Sequence, residues 1–469
     1  MRVRIAPLVL IAVVIGLAPP STAGERQLTF TPKNHDLDNN DNFSPDGRFL
    51  CYDTREMVGP GIDNGLTIEL VEIATGEESL LYTPAVKVTG DRPAPGVGAV
   101  SFSGTENKVA FIHGPLVSQL PERGPYGKPN RQGAEIITDG TAPKAPQGGY
   151  EMNWLDRRDI ATDRDTIAGA HRGGTHRHEY TLDGKRIGFT YNDFLMPEYG
   201  RTVGYMAPHP KAPEGASHYF ANLVPIVVEG TAKPGEIEKA EKDSWVGRQG
   251  LLRAFVGTVR NPDGKTYEDS LFMIEIPADV DITTADSGSA TRFPTPPKGT
   301  SIRRMTHTWA KGTIRGSFDG KQVAYYAKGP DDTIQVFVIP SDGSDKSSDP
   351  EKQPKQATFL PEGSEDGLRW HPSGNTIFSM SNGGIVATCV KPGGMFGKSV
   401  FLTGQDDGPE RIKLTSSQDG TMLAYNRAVP TKGENGEIVK AWTGNDVLQI
   451  FLVDFPDADN DGVIDGLDS

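Results

Sequence analysis

One short phrase recurs along the chain, and it constrains the fold more than any other feature. The phrase is a tight Asp-Gly or Ser-Gly turn followed by a strand pattern of alternating apolar residues, as in 183–189 and 319–325. Asp-Gly supplies the left-handed backbone angles that a tight hairpin needs, so the phrase is a folding signal and carries no chemistry of its own. Six copies are visible, with turn glycines at Gly47, Gly104, Gly184, Gly320, Gly374 and Gly420.

The spacing of these copies predicts how many units the chain contains. The last two steps between turn glycines, 54 and 46 residues, suit units of four short strands. The 136 residues between Gly184 and Gly320 are too many for one unit. Residues 251–276 contain a strand, an Asn-Pro-Asp-Gly turn and a second strand, so we place a seventh, degenerate unit there. The sequence therefore predicts an all-β, seven-bladed propeller, because a four-stranded sheet buries both faces only between neighbours. A pair of antiparallel sandwiches and a β-helix are the alternatives.

The chain divides into three segments in this interpretation: a leader (1–23), the propeller (24–454) and an Asp-rich tail (455–469). Within the propeller, 114–170 and 192–248 are rich in Pro, Gly and charge, and we expect long inserted loops there. Residues 236–242 are the only plausible short helix. Loops of this length in a compact fold are usually functional or disordered.

The leader has the pattern of a secretory signal peptide. Arg2 and Arg4 precede an apolar run over 5–18, and Ser-Thr-Ala at 21–23 is a small-residue cleavage signal before Gly24. We expect an exported protein, periplasmic or secreted; an uncleaved N-terminal anchor is the alternative. No later stretch approaches the ~20 apolar residues of a membrane-spanning helix. Export permits a disulfide, and whether Cys51 and Cys389 pair stays open.

The charge balance limits the partners. The chain has 62 acidic and 48 basic residues, a net charge of −14. Nucleic-acid binding needs a basic face, so no such partner is predicted, and any polyanionic ligand would need a local basic pocket. The expected partner is a glycan or a protein, bound by a monomer.

Histidines concentrate in one third of the chain and indicate a candidate site. If His176 and His178 lie on the innermost strand of the third unit, the two-residue period of a strand puts both beside the central channel. Such a pair could bind a divalent metal, or one imidazole could act as a general base while Arg172 or Arg177 holds an anion. Tyr191 and Arg201 could supply an acid and a charge clamp. The alternative is that they only line a solvated channel. Further candidate ligand-binding residues, whose convergence on one mouth is an assumption, are His35, His113, Arg172, Asn192, Asp193, His307 and His371.

The C-terminal tail carries the most specific motif of the chain. Residues 457–468 place oxygen side chains at loop positions 1, 3, 5, 9 and 12, a glycine at 6 and a backbone carbonyl at 7, which is typical of a calcium loop. It resembles the Asp-rich calcium repeats of thrombospondin type 3 and dockerin-like segments, although it ends in Asp where an EF-hand has Glu. A solvated acidic tail is the alternative. The predicted Ca²⁺ ligands are Asp457, Asp459, Asp461, Val463, Asp465 and Asp468.

The chain as a whole resembles a known family. Its Asp-Gly repeats are similar to the TolB propeller domain, and most of 24–454 resembles the YidR-type family of uncharacterised bacterial proteins. The resemblance implies a TolB-like fold and no settled activity. The stretches that carry it are 31–35, 43–47, 111–115, 172–178, 189–193, 245–247 and 370–374.

Two functions remain in competition at this point. The first is an exported propeller that binds a glycan or protein ligand at a histidine-rich channel mouth. The second is a polysaccharide lyase that cleaves uronate-containing glycans by β-elimination, an analogy from other exported propellers that use His, Tyr and Arg. Whether the protein is an enzyme therefore stays open.

Overall fold

The computed structural model describes residues 24–38, 41–138, 149–364, 366–465 and 467. Within them, seven antiparallel sheets follow one another in chain order and form the blades of a propeller. The predicted all-β, seven-bladed propeller is thus confirmed. The predicted signal peptide at 1–23 lies outside the described residues. No helix in the described part of the chain is long and apolar enough to cross a membrane.

Blades one to three use strands from the first half of the chain. In blade one, two isolated bridges, Asp36 to Asp53 and Phe43 to Leu50, stand in for a regular innermost strand. Blade one contains β2 (Phe49–Asp53), β3 (Ile68–Glu72) and β4 (Glu78–Tyr82); blade two β5 (Val97–Phe102), β6 (Lys108–His113), β7 (Gln132–Ile137) and β8 (Asn153–Trp154); blade three β9 (Gly173–Tyr180), β10 (Ile187–Asp193), β11 (Thr202–Pro208) and β12 (His218–Asn222).

Blades four to six each consist of four consecutive strands, numbered from the inside of the ring outward. Blade four contains β13 (Ile237–Val246), β14 (Leu252–Arg260), β15 (Tyr267–Glu275) and β16 (Ser301–Arg304); blade five β17 (Lys311–Gly316), β18 (Gln322–Lys328), β19 (Ile334–Pro340) and β20 (Lys355–Gln356); blade six β21 (Arg369–Trp370), β22 (Thr376–Ser381), β23 (Gly384–Cys389) and β24 (Ser399–Phe401).

Blade seven combines the two ends of the chain and closes the ring. Its order is β25 (Ile412–Ser416), β26 (Met422–Ala428), β29 (Leu448–Asp454) and, outermost, the N-terminal β1 (Arg26–Gln27). A small hairpin of β27 (Thr431–Lys432) and β28 (Ile438–Val439) is inserted before β29. The one α-helix in the described residues, α1, is Leu120–Arg123. Single 3₁₀ turns are Ile62–Asn64, Val117–Gln119, Lys128–Asn130, Ile282–Thr284 and Pro350–Lys352.

The recurring turn has the same hydrogen bond in several blades. A hydroxyl donates to the turn aspartate two residues later, from Ser44 to Asp46 at 2.6 Å and from Ser317 to Asp319 at 2.7 Å. The glycine that follows has a positive φ, 69° at Gly47, which a residue with a Cβ adopts only at a cost. The repeated phrase of the sequence is therefore the hairpin between the first and second strands of a blade.

Apolar side chains fill the spaces between neighbouring blades. One core cluster joins blades three and four, and another joins blades six and seven to the tail through Val463 and Ile464. Cys51 and Cys389 are free and buried in two different clusters, so they do not pair.

Two local expectations are wrong. Residues 236–242 do not form a helix, because Ile237–Val246 is the innermost strand of blade four and pairs along its length with β14. This pairing overrides the local helix preference of its Glu, Ala and Lys residues. The stretches 114–170 and 192–248 are also not loops throughout, since they supply strands to blades two, three and four.

Candidate functional site

A β-bulge recurs in the innermost strands and determines which side chains reach the channel. The ladder between the first two strands shifts register in blades two, three, four, five and seven. At or near each shift, and before β21 in blade six, one residue has a left-handed backbone. A bulge changes the direction in which side chains point. The left-handed residues are Ala99, Arg177, Lys242, Gly312, Gly367 and Lys413.

Three of these residues are cations held in a conformation that favours glycine. Arg177, Lys242 and Lys413 have φ of 62°, 59° and 60°. A residue with a Cβ persists in this region only where the surrounding structure imposes it, and such positions cluster at functional sites. All three line one cavity, which we call the mouth cavity.

The mouth cavity lies on the axis of the ring and has a volume of about 270 Å³. Residues from six of the seven blades line it, which is possible only where the innermost strands converge. Its lining contains six cations and three carboxylates. The charged residues are Arg177, Arg201, Lys242, Arg315, Arg369, Lys413, Asp38, Glu241 and Asp366.

Ion pairs outside the lining increase the positive character of the mouth cavity. Asp38 pairs with Arg55, and Glu241 pairs with Lys239 at 2.9 Å. The charge of Lys413 is in turn balanced by the buried Asp36. A chain with a net charge of −14 thus has the local basic pocket that an anionic ligand requires.

His176 is the histidine that lines the mouth cavity. It lies on β9, half-buried, and its Nδ1 has no hydrogen-bond partner among the described residues. Burial, with the added charges of Arg131 and Arg201, holds the pKa of His176 well below its usual range. The imidazole is therefore neutral at neutral pH and can accept a proton or a hydrogen bond.

Arg201 lies beside His176 on the wall of the mouth cavity. Its Nε donates to Asn192 Oδ1 at 3.1 Å, which orients the guanidinium group. Burial lowers the pKa of Arg201. Asn192 is thus a supporting residue for Arg201.

His178 and Tyr191 are not part of the lining. The bulge at Arg177 interrupts the strand alternation, and His178 lies buried with its Nε2 3.1 Å from Thr175 Oγ1. Burial lowers its pKa to about 4. Tyr191 is fully buried in the core, donates to Asp193 Oδ2 at 2.9 Å and has its pKa raised by burial and by the Asp193 charge. The structure therefore brings together His176, Arg177 and Arg201 but not the other two predicted catalytic residues.

Arg172 and Asp193 form a buried structural pair. Both side chains are fully buried, with Arg172 Nε donating to Asp193 Oδ2 at 3.1 Å. Asp193 also accepts from the backbone N–H groups of Leu195 and Met196. These contacts fasten the loop after β10, and neither residue lines the mouth cavity.

The remaining predicted histidines are spread over the molecule and do not gather at the mouth. His35 is buried between blades one and seven, where its Nδ1 lies 3.1 Å from the Leu448 carbonyl oxygen. His113 is buried against Tyr82, with its Nε2 3.1 Å from the hydroxyl. His307 pairs with Asp345 at 2.8 Å near the surface, and His371 lies beside the tail. Sequence separation carries no information on convergence, which is why this expectation fails.

A second cavity lies at the other end of the channel and shares Arg315 and Arg369 with the mouth cavity. Burial and the charge of Glu179 raise the pKa of Asp41 there to about 7, although Arg369 and Arg315 oppose the shift. Burial lowers the pKa of Arg369 to about 10. Arg315 and Arg369 therefore lie between the mouth cavity and a second cavity that contains the carboxyl group of Asp41.

The tail forms a compact acidic loop on blade six. Oxygen atoms of Asp457, Asp459 and Asp461 lie within 4.8 Å of one another, the one such group of three among the residues described. Asn375 Nδ2 donates to the Asp461 carbonyl at 2.7 Å, and Thr376 Oγ1 donates to the Gly462 carbonyl at 2.7 Å. Of the other predicted ligands, Asp465 accepts from the Ala458 N–H, Val463 is buried, and Asp468 lies outside the described residues. This triad could hold a metal ion, whereas the histidines form no comparable group.

Sequence reasoning missed most of the charged lining, including Lys242, Arg315, Arg369 and Lys413. A usable signal was present for one of them, because three of the left-handed residues stand at the same distance from the repeated turn. Arg177, Gly367 and Lys413 each precede the turn glycine of their blade by seven residues. Comparing that position across the repeats would have pointed to Lys413.

Comparison with known proteins identifies the family. Residues 96–210 match a family described as a protein of unknown function, DUF3748. The chain is 30% identical over 432 residues to the uncharacterized protein YidR of Escherichia coli (strain K12), covering 85% of this chain and 94% of YidR. The chain belongs to the YidR family. The family match covers the innermost strands of blades two and three, including His176 and Arg177.

Solved structures that align with most of this chain have low sequence identity to it. A putative TolB from Agrobacterium tumefaciens is 10% identical, with a TM-score of 0.36, and covers 83% of this chain and 98% of its own. An oligogalacturonate lyase in complex with manganese is 11% identical, with a TM-score of 0.47, and covers 94% of this chain and 95% of its own. At these values neither structure informs the site or its chemistry.

Proposed function

We propose that this YidR-family propeller binds an anionic ligand, a glycan or a protein segment bearing acidic groups, in the mouth cavity. The observation that supports this function is the excess of six cations over three carboxylates around one axial cavity, in a chain that is otherwise acidic. A cleft lined by one sign of charge concentrates oppositely charged ligands. Binding is therefore expected to weaken as salt is added.

Calorimetric titration with polygalacturonate, neutral dextran and a poly-glutamate peptide tests this function. An acidic polymer should bind and dextran should not. Arg201→Gln and Lys242→Gln should each weaken binding about tenfold, the effect of losing roughly 1.4 kcal/mol of interaction. Lys185→Gln, at an exposed turn of blade three, is the matched control and should bind like the wild type. Equal binding of neutral and acidic polymers, or none, would reject the proposal.

A β-eliminating polysaccharide lyase is the second candidate. It is favoured by a neutral imidazole, His176, in the same lining as Arg177 and Arg201, since proton abstraction beside a carboxylate needs a base and a cation. His176 would take the proton alpha to the uronate carboxyl group, the bond between the beta carbon and the glycosidic oxygen would break as the carbon–carbon double bond forms, and the leaving oxygen would take the proton from the His176 imidazolium group. Tyr191 would not contribute, because it is enclosed in the core. Ultraviolet absorbance of the unsaturated product, lost in His176→Ala, would establish the lyase; silence with retained binding would leave the binding function.

We also propose that the acidic loop binds Ca²⁺. Support comes from the three converging carboxylates and from the backbone, in which Gly462 N–H donates to Asp457 at 2.9 Å and Asn460 and Gly462 adopt left-handed angles. Lys391, 2.7 Å from Asp461, would compete with the ion. Calcium titration of the unfolding temperature tests this site. The wild type should be stabilised and Asp459→Asn should not, with Asp406→Asn, an exposed aspartate, as the control.

A further inference from the structure

Arg158 is a cation buried at the junction of blades two and three. Only 2% of the residue is exposed, and none of its three guanidinium nitrogens has a hydrogen-bond partner among the described residues. Burying an unpaired charge is among the most unfavourable arrangements in a folded protein, and each such group requires an explanation. Arg158 is not part of the mouth cavity, so the proposed function does not explain it.

Backbone hydrogen bonds hold the chain segment that carries Arg158 in place. Arg158 lies between β8 and β9 and forms a bridge with His171. Asp159 N–H donates to the His171 carbonyl at 2.8 Å, and His171 N–H donates to the Arg157 carbonyl at 2.9 Å. These two bonds hold the chain on both sides of Arg158.

Three carboxylates from the adjoining chain segments are committed to other groups, and Glu122, in α1, is exposed and acts on Arg158 through its charge. Asp156 accepts from Thr175 Oγ1 at 2.6 Å. Asp159 pairs with Arg164 at 2.7 Å, and Asp193 pairs with Arg172. The sequence therefore supplies acids next to Arg158, but the fold uses these three elsewhere.

The surroundings of the guanidinium group are suited to an anion. The ring of Phe194 lies 4.7 Å from the guanidinium carbon and covers one face, which leaves the N–H groups to donate within the plane. Burial and the charge of Arg123, in α1, lower the pKa of Arg158 to about 10, although Tyr191 and the charge of Glu122 oppose the shift.

We propose that Arg158 binds one small oxyanion, a carboxylate, phosphate or sulfate group, at the junction of blades two and three. A planar fork of N–H donors matches two oxygens of such a group. This site is separate from the mouth cavity and does not depend on the function proposed for that cavity.

The unfolding temperature of the full chain, measured at constant ionic strength, tests this site. Inorganic phosphate, sulfate and acetate are compared with chloride, so the three arms separate the possible oxyanions. At least one should raise the unfolding temperature of the wild type by a few degrees, because a ligand that binds only the folded state stabilises it. Arg158→Met should lose this response. Arg157→Met, an exposed neighbour, is the matched control and should keep it.

Stability without an oxyanion gives a second, independent test. In chloride alone, Arg158→Met should be at least as stable as the wild type, because an apolar side chain replaces an unpaired charge. A clear loss of stability would mean that the guanidinium group is already satisfied and would overturn the proposal. Retention of the response in Arg158→Met would overturn it as well. Titration calorimetry of the wild type is a test that requires no variant. The absence of binding heat with all three oxyanions would also overturn the proposal.

Discussion

Glu25 and Arg427 are joined by a hydrogen bond of 2.7 Å between Nη1 and Oε1, across 402 positions of the chain. Glu25 also pairs with Arg411 at 2.7 Å. Both arginines are almost fully buried, and the strand that follows Glu25, β1, is the outermost strand of blade seven. The residues directly after the predicted leader thus close the ring.

Glu25→Ala should lower the free energy of unfolding by about 2 kcal/mol, because two buried guanidinium groups lose one of the two carboxylates that they share and keep only Asp407. Urea unfolding at neutral pH measures this change. Glu434→Ala, an exposed glutamate, is the control and should have little effect. Equal stability of the two variants would mean that ring closure does not depend on this pair.

Lys242→Gly should separate function from stability. Glycine adopts the φ of 59° at this bulge without strain, so the variant should be as stable as the wild type or up to about 1 kcal/mol more stable. It should nevertheless bind an acidic polymer more weakly, because a cation of the mouth cavity is lost. Thermal unfolding and calorimetric titration measure the two effects.

Ala99→Gly is the matched control for Lys242→Gly. It has the same left-handed backbone in blade two, with φ of 55°, but carries no charge. Its binding should equal that of the wild type. A binding loss in both variants would indicate that the backbone of the bulge matters, and not the charge of Lys242.

His113→Gln should weaken the dependence of stability on pH. Burial lowers the pKa of His113 to about 4, against about 6.5 in an unfolded chain. Between these values the unfolded state binds one more proton, so the wild type loses up to about 3 kcal/mol as the pH falls from 6.5 to 4. The variant has no imidazole at this position. In urea unfolding at pH 7, 5.5 and 4.5, its free energy of unfolding should therefore fall less steeply with decreasing pH. Asn435→Ala, at an exposed residue without a titratable group, should keep the wild-type slope.

Glu78→Gln should change the pH dependence of stability in a more acidic range, because the group involved is a carboxyl group and not an imidazole. Although burial opposes it, hydrogen bonds and charges from His35 and Lys33 lower the pKa of Glu78 to about 2. A depressed carboxyl pKa stabilises the fold above about pH 4.5, and this contribution, about 3 kcal/mol, disappears as the pH falls towards 2. The variant should therefore be less stable than the wild type at pH 7 and nearly equal to it near pH 2. A constant difference across that range would contradict the assignment.

The local phrases of the sequence predicted the architecture but not the composition of the site. Ser44 and Asp46 form a hairpin through contacts two residues apart, so such turns can be recognised from the sequence alone. The pairing of 237–246 with β14 depends on residues further along the chain, and there the local helix pattern was misleading. At the site, the strand period predicted one face for His176 and His178, but the bulge at Arg177 separates them.

The sequence by itself determined six repeated hairpins and a seventh, degenerate unit, and with them a ring of sheets, because each hairpin depends on contacts between near neighbours. Only the tertiary structure decided which side chains face the common axis. Lys242 and Lys413 come from blades four and seven and meet in one cavity, whereas His35 and His113 are buried between blades. Meeting at an axis depends on the rotation between blades and on the bulges in five of the innermost strands. Both are set by packing and strand pairing between distant residues, which no local pattern encodes.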